Sequence, residues 1–123
     1  MAADKQQVLI CDDSLFIRKQ LHEFITKNLG YEVLEASDGQ AAVDLYREHK
    51  PCLVIMDIVM PVLNGLDALI KIKEINPEAK VIMLSSSGTK SYLKKAVEAG
   101  ADDFLQKPWD EVQIKTILDK ALN

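Results

Sequence analysis

The 123-residue sequence has little of what marks several classes of protein. Its two cysteines, Cys11 and Cys52, are too few for a disulfide scaffold, and neither has a second cysteine or histidine beside it, so they form no zinc motif. Five glycines and four prolines exclude collagen-like and low-complexity chains. No apolar run approaches the roughly 20 residues of a membrane span, and no signal-peptide pattern is present. We expect no membrane insertion and two reduced thiols in a cytoplasmic protein.

Positive charge is also scarce. Fifteen lysines and arginines against 19 aspartates and glutamates give a formal net charge of −4. Non-specific nucleic-acid binding needs clustered positive charge, so we expect no direct contact with nucleic acid. The remaining composition, 48% hydrophobic and 28% charged, is that of an ordinary globular protein. Because this length is typical of one domain, we expect a single domain over residues 1–123, with its core from about 7 to 122.

Short apolar segments alternate with amphipathic stretches five times. We predict strands at 7–11, 32–36, 52–56, 80–85 and 103–106. Residues 8–11, 53–56 and 81–84 are continuously apolar, which is typical of parallel strands covered on both faces. Five βα units with short connections predict a doubly wound α/β domain with strand order 2-1-3-4-5. Helices 1 and 5 should cover one face, and helices 2, 3 and 4 the other.

Helical periodicity and capping residues place the helices between these strands. Apolar stripes predict the buried face of each helix, and for the fourth helix the stripe is Leu93, Ala96 and Val97. Gly30 and Gly100 stand where helix C-caps are expected. The expected N-caps are Asn64, Ser91 and Asp110.

Charged and hydroxyl side chains follow the strands at their carboxyl ends. Asp12 and Asp13 follow strand 1, and Asp57 follows strand 3, its neighbour in the predicted order. The strand order reverses there, which is where open parallel sheets bind ligands. Three carboxylates in one crevice repel one another unless a cation is present or one takes up a proton, so we predict a Mg²⁺ site. Ser85 and Lys107 complete a set able to neutralise a transferring phosphoryl group.

These motifs carry a resemblance to a known family. The motifs are Leu9-Ile10-Cys11-Asp12-Asp13-Ser14, Asp57-Ile58-Val59-Met60-Pro61 with Gly65, Met83-Leu84-Ser85-Ser86, and Phe104-Leu105-Gln106-Lys107-Pro108. The sequence resembles a response-regulator receiver domain of bacterial two-component signalling over nearly its whole length. Within that family it is most similar to the stand-alone chemotaxis type. The resemblance implies a flavodoxin-like fold.

The resemblance also implies a role for each matching residue. Asp57 would be phosphorylated by a histidine kinase or phosphotransfer domain, and Lys107 would pair with the phosphoryl group. Asp12, Asp13, Asp57 and the backbone carbonyl of Val59 would hold Mg²⁺. Ser85 would reorient toward the phosphoryl group, and the peptide bond between Lys107 and Pro108 would be cis. The residues expected to flank the phosphorylation site are Val59, Ser86, Ser87 and Pro108.

Three positions depart from the commoner family pattern. Trp109 follows Pro108 where phenylalanine is usual, which indicates a bulkier residue filling the same turn. The aromatic switch residue is Phe104, often tyrosine in relatives, so its coupling to Ser85 would act through packing volume alone. Val59 is apolar where relatives tune the access of water, and it should slow hydrolysis if it blocks the attacking water.

The expected function is a stand-alone switch that is no enzyme beyond its own phosphorylation and dephosphorylation. Its output would be a protein-binding surface on helix 4, strand 5 and helix 5, with the flagellar motor switch as one candidate target. We expect a monomer and leave a phosphorylation-dependent dimer open. The alternatives are a phosphorelay intermediate, a receiver cut from a larger regulator, and a phosphohydrolase of the haloacid-dehalogenase type. The last would need an aspartate two positions after Asp57, where Val59 stands.

Overall fold

The computed structural model describes residues 6–122, apart from the side chain of Ser87. The strands are β1 (Gln7–Cys11), β2 (Glu32–Ala36), β3 (Leu53–Asp57), β4 (Val81–Ser85) and β5 (Asp103–Gln106). The helices are α1 (Leu15–Leu29), α2 (Gly39–His49), α3 (Gly65–Ile75), α4 (Leu93–Glu98) and α5 (Glu111–Leu122), with a 3₁₀ segment (Ser87–Tyr92) before α4. All strand pairs are parallel, in the order β2-β1-β3-β4-β5. The predicted fold class and strand order are confirmed.

Two apolar layers cover the sheet, one on each face. In β1, Leu9 and Cys11 point into the layer formed with α2, α3 and α4, whereas Val8 and Ile10 point into the layer formed with α1 and α5. This alternation follows from the two-residue period of a strand. Because both layers are buried, β1, β3 and β4 have apolar side chains on both faces, which explains their continuous apolar runs.

The ends of the helices use local capping chemistry, mostly as predicted. The Asn64 side chain accepts a hydrogen bond from the Asp67 amide at 2.9 Å, and the Asp110 side chain accepts one from the Gln113 amide at 2.8 Å. Gly30 ends α1 with a φ of 71°, a left-handed conformation in which a side chain is costly. Of the helices formed by residues 6–122, none has the length and apolar character needed to cross a membrane.

The start of the fourth helix differs from the prediction. Ser91 is not its N-cap, because Ser86 and Thr89 form a capping box five residues earlier and the chain turns there as a 3₁₀ segment. α4 therefore begins only at Leu93. Val97 is 54% exposed, so its assignment to the buried stripe is wrong. Gly100 has a φ of 103° but follows the C-cap residue, Ala99, by one position.

The predicted strand bounds are also corrected by one residue in two places. β3 runs one residue later than expected, so that Asp57 is its last residue and Cys52 precedes it. β4 begins at Val81 instead of Lys80. Cys11 and Cys52 are both free thiols, as expected.

Candidate functional site

Three carboxylates meet at the carboxyl edge of the sheet. β1 pairs with β3, so the loop after β1 brings Asp12 and Asp13 to the end of β3, where Asp57 stands. One oxygen from each of the three lies within 4.8 Å of the others. Asp12 is fully buried and Asp57 is 8% exposed, whereas Asp13 is exposed. The predicted convergence of these residues is therefore seen.

Asp12 is held on every side. Its amide donates to the carbonyl of Ala36 at 3.1 Å, and its Oδ1 accepts from the amide of Ser14 at 2.9 Å. Its Oδ2 accepts from Lys107 Nζ at 2.7 Å. Its carbonyl oxygen accepts from Arg18 Nη1 at 2.7 Å. The contacts from Ser14 and Lys107 satisfy both oxygens of a buried carboxylate that would otherwise be very costly.

Arg18 is a contact of the site that the sequence did not assign. Its Nε also donates to Glu35 Oε1 at 3.0 Å, so the guanidinium joins α1, the end of β2 and the loop after β1. The sequence signal for this contact was weak. Arg18 lies on α1, six residues after Asp12, and a long side chain there can extend into solvent as easily as toward the preceding loop.

Lys107 supplies positive charge from a distant part of the chain. Its Nζ lies 2.7 Å from Asp12 Oδ2 and 3.3 Å from Asp57 Oδ2. The backbone holds it there, since its amide donates to the carbonyl of Ser85 at 2.7 Å. The peptide bond between Lys107 and Pro108 is cis, as predicted. One ammonium group thus bridges two buried carboxylates, one directly after β1 and one at the end of β3.

The charges shift the pKa values of the groups that face one another. Burial, and then the negative charge of Asp12, raise the pKa of Asp57, while Lys107 acts in the opposite direction. Burial lowers the pKa of Lys107, but its hydrogen bond to Asp12 and the charge of Asp57 outweigh burial, so the net pKa is raised. Three carboxylates around one lysine leave an excess of negative charge at this edge.

This donor set fits a hard divalent cation. The side-chain donors are all carboxylate oxygens, and their excess charge is what a bound Mg²⁺ would neutralise. Asp13 is exposed to solvent and can offer its oxygens directly. Asp12 already shares both oxygens with Ser14 and Lys107, so it is suited to binding through an intervening water.

The close approach of two loops shapes the site beneath Asp57. The Gly65 amide donates to the carbonyl of Ile58 at 2.7 Å. A Cβ atom at Gly65 would lie 1.9 Å from the Asp57 carbonyl oxygen, so α3 can start here only with a glycine.

The other predicted site residues lie around this centre with different exposures. Ser85, the last residue of β4, is 2% exposed. Phe104 in β5 is partly buried and packs on the layer formed with α2, α3 and α4. Val59 is 53% exposed just after β3, Pro108 is exposed and Ser86 is partly buried. The Ser87 side chain lies outside the described part of the chain.

The fold and site together define a class: a doubly wound five-stranded domain with an acidic cluster and a lysine at its switch point. The family model described as the response regulator receiver domain matches residues 8–119. The chain belongs to this family of two-component signalling proteins, as the resemblance predicted.

Individual relatives agree with this assignment. Chemotaxis protein CheY of Bacillus subtilis is 42% identical over 118 residues, which cover 95% of this chain and 98% of the relative. CheY of Thermotoga maritima is 45% identical over 117 residues, which cover 94% and 97%. The receiver domain of NtrX from Brucella abortus superimposes with a TM-score of 0.87 at 31% identity, covering 94% of this chain and 97% of that one. The chain is therefore a CheY-like receiver.

Proposed function

We propose that the chain is a phosphorylation-driven switch whose acceptor is Asp57. The observation that carries this proposal is the contact of Lys107 with both Asp12 and Asp57 at the buried end of β3. A lysine in this position can pair with a new anion, and the carboxylate beside it is a nucleophile of the kind that forms an acyl phosphate. The donor would be the phosphohistidine of a sensor histidine kinase or phosphotransfer domain in the cytoplasm.

Each residue has a part in the transfer. An Asp57 oxygen forms a bond to phosphorus as the bond between phosphorus and the histidine nitrogen breaks, and that nitrogen leaves with its electron pair. Lys107 moves from sharing two carboxylates to pairing with the transferred group. Asp12 and Asp13, with Asp57 and the Val59 carbonyl, would hold Mg²⁺, which when bound neutralises charge on the phosphoryl oxygens. An oxygen of water later bonds to phosphorus as the bond to Asp57 breaks, which releases inorganic phosphate and restores the carboxylate. Val59, Ser86, Ser87 and Pro108 would flank the site.

The output is proposed to be a change of protein-binding surface. Ser85 would donate to the phosphoryl group, and Phe104 would move inward and repack the neighbouring face of α4, β5 and α5. Three exposed apolar residues on α5 and on the segment ending in α4 support this surface: Tyr92 at 42%, Val97 at 54% and Val112 at 74%. The named function of two relatives makes chemotaxis the proposed pathway, with the flagellar motor switch as target.

Labelling with a small phosphodonor tests the acceptor. Radiolabelled acetyl phosphate with Mg²⁺ should label the native chain, and Asp57→Ala should abolish the label. Asp44→Ala on α2 is the matched control, because Asp44 is an exposed aspartate that pairs with neighbours on its own helix. Equal labelling of the native chain and Asp57→Ala would refute the acceptor assignment.

A pull-down separates chemotaxis from a phosphorelay. A purified flagellar switch component should retain the chain more strongly in the presence of a phosphoryl mimic than without it. If the mimic has no effect, and the phosphorylated chain instead passes its label to a phosphotransfer domain, the chain is a phosphorelay intermediate.

A further inference from the structure

Among the residues that the structure describes, four polar or charged ones are buried: Asp12, Asp57, Ser85 and Thr89. The first three form the candidate site. Thr89, in the 3₁₀ segment after β4, is 7% exposed and has no part in the transfer just proposed. A buried hydroxyl must be hydrogen-bonded, so its partners indicate what it holds in place.

The hydroxyl and the backbone amide of Thr89 both bond to Ser86. Thr89 Oγ1 accepts from the Ser86 amide at 2.8 Å and donates to the Ser86 carbonyl at 3.1 Å. The Thr89 amide donates to that same carbonyl at 3.0 Å. Ser86 directly follows Ser85, so Thr89 restrains the backbone next to the proposed switch hydroxyl.

The peptide unit between Ser85 and Ser86 is held at both of its polar ends. Its carbonyl oxygen accepts from the Lys107 amide at 2.7 Å, and its N–H group donates to Thr89 Oγ1 at 2.8 Å. A rotation of this peptide plane would lengthen both bonds. The ψ torsion of Ser85 and the φ torsion of Ser86 set this plane, and the Cα of Ser85 bears the side chain whose Oγ is the proposed switch hydroxyl. The plane therefore couples Thr89 to Ser85 on one side and to Lys107 on the other.

We propose that Thr89 is a positioning residue for the phosphoryl-transfer site. Its hydroxyl holds the peptide plane between Ser85 and Ser86, and thereby the backbone from which Ser85 donates to the phosphoryl group. This inference rests on the proposed function of Asp57. A backbone that is already held in place leaves only the Ser85 side chain to turn during the transfer, so the rate should depend on the Thr89 hydroxyl although it lies outside the carboxylate cluster.

The hydroxyl of Thr89 can be removed without changing the shape of the side chain. Thr89→Val keeps the volume and loses the hydroxyl, Thr89→Ala loses it without any crowding, and Thr89→Ser keeps it. Thr26→Val is the matched control, because Thr26 Oγ1 also donates to a backbone carbonyl, that of His22, on the exposed surface of α1.

The experiment combines amide hydrogen exchange with labelling. Thr89→Val and Thr89→Ala should speed exchange of the Ser86 amide and slow Asp57 labelling by acetyl phosphate about five-fold, the factor for one net hydrogen bond. Thr89→Ser and Thr26→Val should stay within about two-fold of the native rate. In a Ser85→Ala background, Thr89→Val should cause no further loss, because its effect passes through Ser85.

The outcomes distinguish this inference from the function on which it rests. If the native chain labels at Asp57 but Thr89→Val labels as fast or faster, the positioning role is refuted and the proposed function stands. An equal loss with and without Ser85, or a loss in Thr89→Ser as large as in Thr89→Val, also refutes it. A native chain that takes no label at Asp57 refutes the proposed function and the positioning role together.

Discussion

The carboxyl ends of the five strands form one edge of the sheet, here the carboxyl edge, and their amino ends form the opposite one, the amino edge. The two edges hold polar groups of different kinds. At the carboxyl edge, charged side chains contact one another: Lys107 bridges Asp12 and Asp57, with Asp13 within reach. At the amino edge, a cavity of about 400 Å³ is lined by polar residues that include Tyr46 and Lys80. The hydrogen bonds of Tyr46 and Lys80 are to neutral partners. Asn76 Nδ2 donates to the Tyr46 hydroxyl at 3.1 Å, and Lys80 Nζ donates to the carbonyl of Ala121 at 2.7 Å.

This difference separates stability from function within one fold. At the amino edge, each of these hydrogen bonds contributes modestly to folding, and the lysine stays exposed. At the carboxyl edge, like charges are held together, so part of the folding free energy is stored as repulsion that a bound cation or a new covalent bond can relieve. Substitutions at the two edges should therefore have effects of different kinds.

Paired glycine substitutions should give the largest effect. Gly65→Ala, at the carboxyl edge, places a Cβ atom 1.9 Å from the Asp57 carbonyl oxygen and should destabilise the fold by about 3 kcal/mol or more. Gly30→Ala, at the other edge, meets no atom of residues 6–122 within 4 Å and should cost about 1 kcal/mol for its positive φ. Urea unfolding measures both, and equal losses would contradict the close approach at Gly65.

Substituting one lysine at each edge tests whether the labelling rate depends on positive charge only at the site. Lys107→Ala should slow Asp57 labelling about 100-fold, the usual effect of losing one preorganised donor. Lys80→Ala should leave the rate unchanged, since Lys80 bonds a backbone carbonyl at the opposite edge. Circular dichroism confirms that each variant is folded. Slowing of similar size in both variants would mean that the labelling rate depends on the net charge of the protein and not on a charge at the site.

Removing one carboxylate should reveal the stored repulsion. With a chelator at pH 7, Asp57→Asn should stabilise the fold by about 1 kcal/mol, the size of one water-screened charge repulsion. The pKa of Asp57 is raised in the folded state, so its ionisation opposes folding. The gain should thus vanish below pH 3.8, the ordinary pKa, where the carboxyl is protonated in both states.

Two further measurements check the result for Asp57→Asn. Added Mg²⁺ should stabilise the native chain more than Asp57→Asn, because the variant lacks one of the proposed ligands. Glu78→Gln, an exposed residue at the amino-edge cavity, should change stability by less than about 0.5 kcal/mol at any of these pH values. A loss of stability in Asp57→Asn at pH 7 would show that the lysine contact outweighs the repulsion.

A small effect on stability, with none on labelling, is expected from a substitution confined to the amino edge. Tyr46→Phe removes the hydroxyl that accepts from Asn76 and should cost about 1 kcal/mol in thermal or urea unfolding. The labelling rate should not change. A slower rate in this variant would show that the two edges are coupled through the sheet.

The fold was largely predictable because its signals are local or nearly so. The apolar runs in β1, β3 and β4 indicated buried parallel strands, and short connections left one natural strand order. The prediction failed at the fourth helix, where Ser86 and Thr89 cap the chain before Ser91 can. Two capping sequences compete there, and the one that prevails starts directly after Ser85, whose carbonyl accepts from the amide of Lys107.

Much of the candidate site was also predictable, for a topological reason. Asp12, Asp13 and Asp57 end neighbouring strands, so the strand order alone brings them together. Arg18 was missed as a contact of Asp12, because a helix residue six positions away carries no sign of where its long side chain will reach. The role of Thr89 was missed because it depends on a peptide plane shared with Lys107.

The sequence by itself determined the strand order and the acidic edge, because periodicity and chain order specify which residues end neighbouring strands. Only the tertiary structure decided which carboxylates are buried, which of them share Lys107, and in which direction the pKa of Asp57 moves. The physical reason is distance. Lys107 and Asp12 are 95 positions apart, and the strength of a charge pair depends on ångströms and on burial that local patterns do not encode.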